Sequence, residues 1–238
     1  YQDQHLALLE HIQGIDNERD KRWYASVLLN RLMFVWFLQK KGFLQDQNGS
    51  QRFDYLREQL QISEQRGANL FYGEFLAALF FEAFAKPEAD RSPQAKALTG
   101  QIPYLNGGLF LPHKLEQDAD HALRLGKTLH VADAAFKGIF DLFASFTWHL
   151  DDTPGGSADE INPDVLGYIF EKYINQKAFG AYYTRPEITS YLADRSIHKL
   201  ILERVYEPAI PELHIKEVKF DTVPDLLAGM DARTALKL

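Results

Sequence analysis

The sequence predicts a mainly α protein in which a helical bundle-like domain is followed by a further helical segment. Residues 17–41 place apolar side chains on nearly every side of one helix, which is typical of a central helix. Two later stretches, 70–85 and 131–148, repeat large apolar residues at helical spacing. Segments rich in Gly, Pro, Asn and Gln separate these stretches, so helices joined by turns account for most of the chain.

Composition indicates a globular protein with an aromatic core. The 238 residues suffice for one or two domains, and 46% of them are apolar, with 17 Phe and 11 Tyr in the chain. The 26 basic and 33 acidic side chains give a formal charge of −7, which disfavours a stand-alone nucleic-acid binder without a local basic patch. The lack of cysteine excludes disulfides and thiolate metal sites and is compatible with a cytoplasmic setting. Histidines without zinc-site spacing argue against a zinc centre.

The first strong element is the helix over residues 17–41, which Gly42 is expected to stop. Its internal polar residues, Asn30 and Arg31, are expected to be buried with structural partners, because a buried polar group needs hydrogen bonds. Trp36 could serve as a stacking platform for nucleic-acid bases, but its helical spacing favours a place in the core.

Helices and turns alternate after this central helix. A polar turn over 45–51 precedes a short helix near 53–60 and a stronger helix over 70–85. Pro87 and Pro93 are expected to end helical structure, and residues 89–113 are expected to form a long, irregular segment.

The run NGG at residues 106–108 is a turn signal within that irregular segment. It is not a phosphate loop, because no lysine followed by Ser or Thr stands at the required spacing. We expect this turn to pack Tyr104, Leu109 and Phe110 onto the helices.

A polar stretch at residues 151–159 is the best domain boundary in the chain. We therefore predict a helical connector domain over 1–150, a flexible linker over 151–159 and a second helical portion over 160–238. That second portion opens with a helix start, in which Asn162 is placed as the cap and Pro163 as the first helical residue.

Residues 180–188, with the sequence GAYYTRPEI, contain another helix start. Thr184 and Glu187 stand at capping-box spacing and Pro186 suits the first turn. Arg185 is an alternative cap, because the residue before a proline avoids the helical conformation. Free N–H groups at such a start favour an anion, so a ligand carboxylate or phosphate could dock there beside the tyrosines. The alternative is that Thr184 only caps the helix and the tyrosines belong to the core.

The string EINPDVLGYIFEKYINQKAFGAYYTRPEITSYL, residues 160–192, resembles the segment that leads into the catalytic domain of large bacterial adenine-specific (N6) DNA methyltransferases. That family includes the fused type IIG restriction-modification enzymes and related phage-defence methyltransferases. The resemblance extends to residues 104–110 and to the aromatic helix over 29–42. It implies a parent protein that flips adenine out of duplex DNA and methylates it with S-adenosylmethionine.

In that family the motif like GAYYT-x-PE lies against the methionine end of S-adenosylmethionine. The cofactor-binding residues that the resemblance implies by position are Gly180, Ala181, Tyr182, Tyr183, Thr184, Pro186 and Glu187. Among them, Tyr183 and Thr184 would face the cofactor, the Gly-Ala pair would allow its close approach, and the Pro-Glu pair would open the helix behind it.

Two other motifs of the family do not occur in this chain: the Gly-rich turn for the cofactor and the Asn/Asp-Pro-Pro-aromatic loop for the target base. Because the chain also begins at Tyr1 rather than Met, we expect a piece of a longer protein that does not transfer methyl groups alone. Its residues 160–238 are expected to dock on an α/β methyltransferase domain outside this chain. Duplex DNA is the expected partner of the complete protein and should bind this chain weakly at best.

The residues also bear on two other functions. Glu217-Val218-Lys219 matches half of a metal-dependent nuclease site, but no Pro-Asp stands on a predicted neighbouring strand before it, so a nuclease is disfavoured. The second alternative is a non-enzymatic helical module that holds a nuclease and a methyltransferase at fixed spacing and touches neither ligand. The surroundings of Tyr183 and Thr184, open or buried, would separate this alternative from a cofactor site. The DNA target, a fused nuclease and the oligomeric state stay open.

Overall fold

The computed structural model describes residues 2–105, 108–148, 160, 161, 163–170, 184 and 186–205. The chain divides into two compact units, Tyr1–Ala181 and Tyr182–Leu238. Within the described ranges, no helix combines the length and the apolar character needed to cross a membrane.

The first unit is built mainly from helices, which confirms the predicted mainly α class. In its described residues the α-helices are α1 (Gln2–His11), α2 (Glu18–Lys40), α3 (Tyr55–Arg66), α4 (Pro93–Thr99), α5 (Ala134–Ala144) and α6 (Pro163–Phe170). Two π-helical segments, Phe71–Leu76 and Leu79–Phe84, lie between α3 and α4. Short 3₁₀ turns occupy Glu88–Asp90, Gly108–Phe110 and Lys114–Glu116.

Short strand pairs join distant parts of this unit. The strand β1 (Ile12–Gln13) pairs antiparallel with β2 (His130–Val131). The strand β3 (Thr147–Trp148) pairs parallel with β4 (Glu160–Ile161). The strand β4 packs with the helical part of the first unit, because it pairs with β3 and because Ile161 is buried in the shared core. The predicted linker over 151–159 lies outside the described residues.

Helix α2 is the central element, as its sequence predicted. Asn17 caps its start, because the side-chain oxygen accepts from the backbone N–H of Arg19 at 2.9 Å and of Asp20 at 3.1 Å. Its buried side chains lie on nearly all sides of the helix, and Trp36 is fully buried, which confirms its place in the core. The helix ends before Gly42, as predicted.

The apolar stripes predicted over 70–85 and 131–148 both lie in one aromatic core. Phe71 contacts Phe136 on α5 with ring centroids 4.9 Å apart, and Trp36 on α2 stacks on Phe140 at 5.6 Å. Residues 71–84 are π-helical over two segments rather than regularly α-helical. Phe80 and Phe84 in the second of these segments are both buried.

The segment 89–113 is less irregular than predicted. Pro93 was expected to end helical structure, but it begins α4, whose start Ser92 caps by accepting from the N–H of Ala95 at 3.2 Å. The reason is that the fixed φ of proline suits the first helical position, where its missing N–H has no partner to lose. The prediction missed this helix because it took Pro93, like Pro87, only as the end of helical structure.

Three further differences concern the ends of elements and the packing of a side chain. Helix α1 was not predicted at all. Helix α5 is shorter than the predicted 131–148, because residues at both ends of that stretch belong to β2 and β3. Phe110 is buried as expected, but Tyr104 is exposed. Residues 106 and 107 of the predicted turn lie outside the described residues.

Candidate functional site

The predicted cofactor motif is described only at its helical end. Residues 180–183, that is Gly180, Ala181, Tyr182 and Tyr183, lie outside the described residues, as does Arg185. A helix α7 (Pro186–Ala193) begins at Pro186, where the sequence predicted it. Thr184 and Glu187 are both exposed, and Glu187 belongs to the first turn. The helix start is therefore confirmed, whereas the choice of cap and the contact with a cofactor stay predictions.

Helix α7 runs on through a π-helical turn, Asp194–His198, into α8 (Lys199–Val205). The described part of this long helix extends to Val205. The large apolar residues of this long helix are about half exposed, between 50% and 58%: Ile188, Tyr191, Leu192, Ile197 and Leu200. We call these five residues the apolar stripe.

The π-turn explains why the apolar stripe continues past the middle of the helix. A π-turn closes its hydrogen bonds five residues apart instead of four, so it takes about one more residue than an α-turn. Ile197 follows Leu192 by five positions and therefore lies close to one turn further along the same side. Several large apolar side chains exposed on one helix are typical of an interaction site.

The first unit contains a buried charged cluster around Arg31 and Glu116. Arg31 Nη1 lies 2.5 Å from Glu116 Oε1, and neither side chain is exposed to more than 2%. The remaining donors of the guanidinium reach backbone carbonyls, Nε that of Leu109 at 2.7 Å and Nη2 that of Leu111 at 2.8 Å. This geometry confirms that Arg31 is a buried structural residue, and it fastens residues 108–116 to α2.

The carboxylate of Glu116 is satisfied on both oxygens. Tyr24 donates to Oε1 at 3.0 Å, and the backbone N–H of His113 donates to Oε2 at 2.7 Å. The hydroxyl of Tyr72 lies 2.5 Å from that of Tyr24 and completes the chain of hydrogen bonds. Burial raises the pKa of Tyr24 and of Tyr72, so both phenols stay protonated and can donate. A cluster so fully paired positions a chain segment and leaves no group free for acid–base chemistry.

His113 lies at the edge of this cluster and caps the turn Lys114–Glu116. Its Nδ1 accepts from the backbone N–H of Leu115 at 3.2 Å, and its Nε2 lies 3.2 Å from the indole nitrogen of Trp23. A neutral imidazole has one acceptor nitrogen and an imidazolium has none. Burial lowers the pKa of His113, which favours the neutral ring that can accept.

A polar groove of about 720 Å³ lies elsewhere on the first unit. It lies between the turn after α2 and the segment that carries α4, and its lining includes Phe43, Gln45, Gln47, Arg91, Lys96 and Gln101. Sequence reasoning did not find this groove, because its walls come from segments about 50 residues apart and neither carries a motif. In the part of the chain that is described, no three His, Cys, Asp or Glu side chains are grouped as metal ligands.

Comparison with known proteins adds two matches. The family model described as "Domain of unknown function (DUF7814)" matches residues 14–135, which include α2, the two π-helical segments and Glu116. A protein of Methanocaldococcus jannaschii, named "Putative type II restriction enzyme and methyltransferase", is 31% identical over 220 residues, which is 89% of this chain and 17% of that protein. The chain thus spans about one sixth of the length of this curated relative. No solved structure matches.

Proposed function

We propose a function on the premise that this chain belongs to the family described as a domain of unknown function (DUF7814). The chain is the connector and cofactor-contact region of a restriction-modification protein that methylates adenine N6 in DNA. The observation that carries the proposal is the 31% identity, over 89% of the chain, to a protein named as a restriction enzyme and methyltransferase. The motif resemblance at residues 180–188 supports the adenine-specific form.

The cofactor in this proposal is S-adenosylmethionine, held by Gly180, Ala181, Tyr182, Tyr183, Thr184, Pro186 and Glu187. Where the motif is described, it fits a small charged ligand, because Thr184 and Glu187 are exposed beside a helix start. The N–H groups and the Thr184 hydroxyl suit the carboxylate of the methionine moiety. The carboxylate of Glu187 suits the ammonium group of the methionine moiety, because opposite charges attract. When bound, the cofactor supplies the methyl group.

The exposed apolar stripe on the long helix supports a second part of the proposal. A helix that leaves five large apolar side chains about half exposed gains stability when another surface covers them, roughly 25 cal/mol per Å² buried. We assign this surface to contact with the α/β methyltransferase domain of the parent protein. The parent in this proposal is a larger protein that contains this methyltransferase domain and acts on duplex DNA.

A test of this proposal measures methyl transfer by the parent protein. The parent is incubated with DNA and methyl-labelled S-adenosylmethionine, and the digested nucleosides are separated. We expect the label in N6-methyl-2′-deoxyadenosine. Label in cytosine derivatives, or no label in DNA although the cofactor binds, would contradict the adenine-specific proposal.

A non-enzymatic spacer between a nuclease and a methyltransferase is the second candidate. The observation that favours it is the closed pairing of Arg31 and Glu116 within a dense aromatic core, which is suited to a rigid connector. The two candidates differ in their cofactor dependence. In a spacer, changes at Tyr183 and Thr184 would leave the affinity of the parent for S-adenosylmethionine unchanged.

A further inference from the structure

Hydrogen bonds join the two walls of the groove on the first unit, the turn after α2 and the segment that carries α4. The backbones of Gln45 and Gln101 pair in both directions, at 3.3 Å and 3.1 Å. The side chain of Gln47 donates to the carbonyl of Ala97 and so ties the turn after α2 to α4. At the junction, Gly100 has a φ of +73°, and a Cβ there would lie 2.6 Å from the carbonyl oxygen of Gln45. This close backbone approach shapes the groove before any ligand arrives.

Phe43 is held at the edge of the groove by the way α2 ends. The N–H of Phe43 donates to the carbonyl of Leu38 at 3.1 Å, and the N–H of Gly42 donates to that of Gln39 at 3.0 Å. This pattern is the Schellman termination, in which a glycine with positive φ turns the chain sharply, and Gly42 has a φ of +74°. The ring of Phe43 consequently projects from a rigid turn, and the residue is 52% exposed.

Two cations line the groove, and neither forms an ion pair with a described residue. Arg91 is mostly buried and donates from Nε to the carbonyl of Lys86 at 2.9 Å and from Nη1 to that of Ile102 at 2.8 Å. These carbonyls are neutral and carry no countercharge, and Nη2 is bonded to no described residue. Lys96 is exposed on α4 and forms no ion pair with a described residue.

One acidic residue, Glu88, also lines the groove. It is exposed and lies near enough to Arg91 to act on its pKa, but burial is the larger effect and lowers that pKa. The groove therefore keeps an excess of positive charge, two cations against one carboxylate. This local sign is opposite to that of the whole chain, whose formal charge is −7.

The glutamine side chains supply the third kind of group. Gln101 donates from Nε2 to the backbone carbonyl of Gln47 at 3.4 Å, and the side-chain amide of Gln47 donates to the backbone carbonyl of Ala97. Both bonds use the amide nitrogen, so the side-chain oxygen of each glutamine can act as an acceptor. An amide can both donate and accept, which suits the edges of nucleic-acid bases. A flat exposed ring, neighbouring amides and cations together match the three parts of a nucleotide: base face, base edge and phosphate.

We propose that this groove binds a nucleotide of a single DNA strand, with the base on Phe43 and the phosphate toward Arg91 and Lys96. The choice of a DNA strand, rather than a free nucleotide of the same chemistry, rests on the function proposed above. A duplex hides its base faces in the stack, so the groove takes unpaired nucleotides, and the amides recognise them with little sequence preference.

The test measures the fluorescence anisotropy of a labelled ten-residue oligothymidylate as the 238-residue chain is added. Stacking on an aromatic ring contributes about 1–3 kcal/mol per base, so Phe43→Ala should weaken binding roughly 5- to 150-fold. Phe53→Ala is the matched control, because Phe53 is equally exposed, at 52%, and does not line the groove. Both residues lie at the surface, so neither change should prevent folding.

A second arm tests the phosphate contact through salt. Each phosphate contact to a single strand contributes about 0.7 to the slope of log K against log salt, so Lys96→Ala should lower that slope by about this amount. Lys127→Ala, an exposed lysine outside the groove, should leave the slope unchanged. A merely structural role for Lys96 would not change the slope.

Three results would overturn the proposal. They are the absence of oligothymidylate binding, an equal effect of Phe43→Ala and Phe53→Ala, and displacement of the oligonucleotide by an equal concentration of thymidine monophosphate. The last result would assign the groove to a free nucleotide. The proposed methyltransferase function is tested separately by methyl transfer in the parent, so either proposal can fail while the other stands.

Discussion

Arg31 and Glu116 are separated by 85 residues in the sequence, yet Nη1 of one lies 2.5 Å from Oε1 of the other inside the first unit. Both groups are removed from water, and each is fully used by the other and by nearby hydrogen bonds. The pair fastens the segment 108–116 onto the central helix. Removing either partner would leave the other charge buried without a partner.

Glu116→Gln should strongly destabilise the chain, because it leaves the charge of Arg31 buried and uncompensated. Breaking a buried pair from one side costs roughly 3–5 kcal/mol of unfolding free energy. Urea unfolding followed by circular dichroism measures the change. Glu64→Gln is the matched control, since Glu64 pairs with Lys137 at the surface and should contribute less than about 1 kcal/mol. Equal losses in the two variants would contradict a special role for the buried pair.

Acid should weaken the fold through His113. Its pKa in the folded chain is lowered by burial, so the unfolded chain binds the proton more readily. The neutral ring contributes fully to the free energy of unfolding at pH values above the ordinary histidine pKa of about 6.5. This contribution is lost as the pH falls from there through the pKa of His113 in the folded chain. His113→Asn keeps a capping oxygen but cannot titrate in this range. The difference in unfolding free energy between wild type and this variant should therefore change between about pH 7.5 and pH 5. A constant difference would show that His113 does not couple folding to pH.

Thr184→Val should weaken S-adenosylmethionine binding by the parent protein. The change preserves shape and removes one hydrogen bond to a charged group, worth about 1.5–3 kcal/mol, or roughly a 10- to 100-fold loss of affinity. Tyr183→Ala should also weaken binding through lost contact area. Calorimetric titration of the cofactor into folded variants measures both. Ser190→Ala, an exposed hydroxyl further along α7, is the control and should bind normally. Unchanged affinity in both motif variants would support the spacer.

Leu192→Glu should have different effects in the isolated chain and in the parent. Leu192 is about half exposed, so in the isolated chain the unfolding free energy should change by less than about 0.5 kcal/mol. In the parent the same charge would lie against the methyltransferase domain and should lower its melting temperature. Thermal unfolding of both proteins measures this, with Ser190→Glu as a control on the same helix. An unchanged parent would show that the apolar stripe is not a domain contact.

Local rules were sufficient for the elements whose signals lie within one or two turns. The helix predicted over 17–41 is α2 (Glu18–Lys40), with Asn17 as its cap and Gly42 after its end. The starts at Pro163 and Pro186 were found in the same way. Periodicity, caps and proline positions act between residues close in sequence, and they can be evaluated without knowing the tertiary neighbours. They failed at Pro93, where the same residue type can end or begin a helix and the hydroxyl of Ser92 decides between them.

The sequence by itself determined the mainly α class, the central helix, the burial of Trp36 and Arg31, and the helix that begins at Pro186. Only the tertiary structure decided which residues meet: that Glu116 neutralises Arg31, and that Gln45 pairs with Gln101 to build the groove. The physical reason is range. Helix formation is governed by hydrogen bonds four residues apart, whereas a buried ion pair or a groove wall depends on how whole elements pack, which no local pattern records.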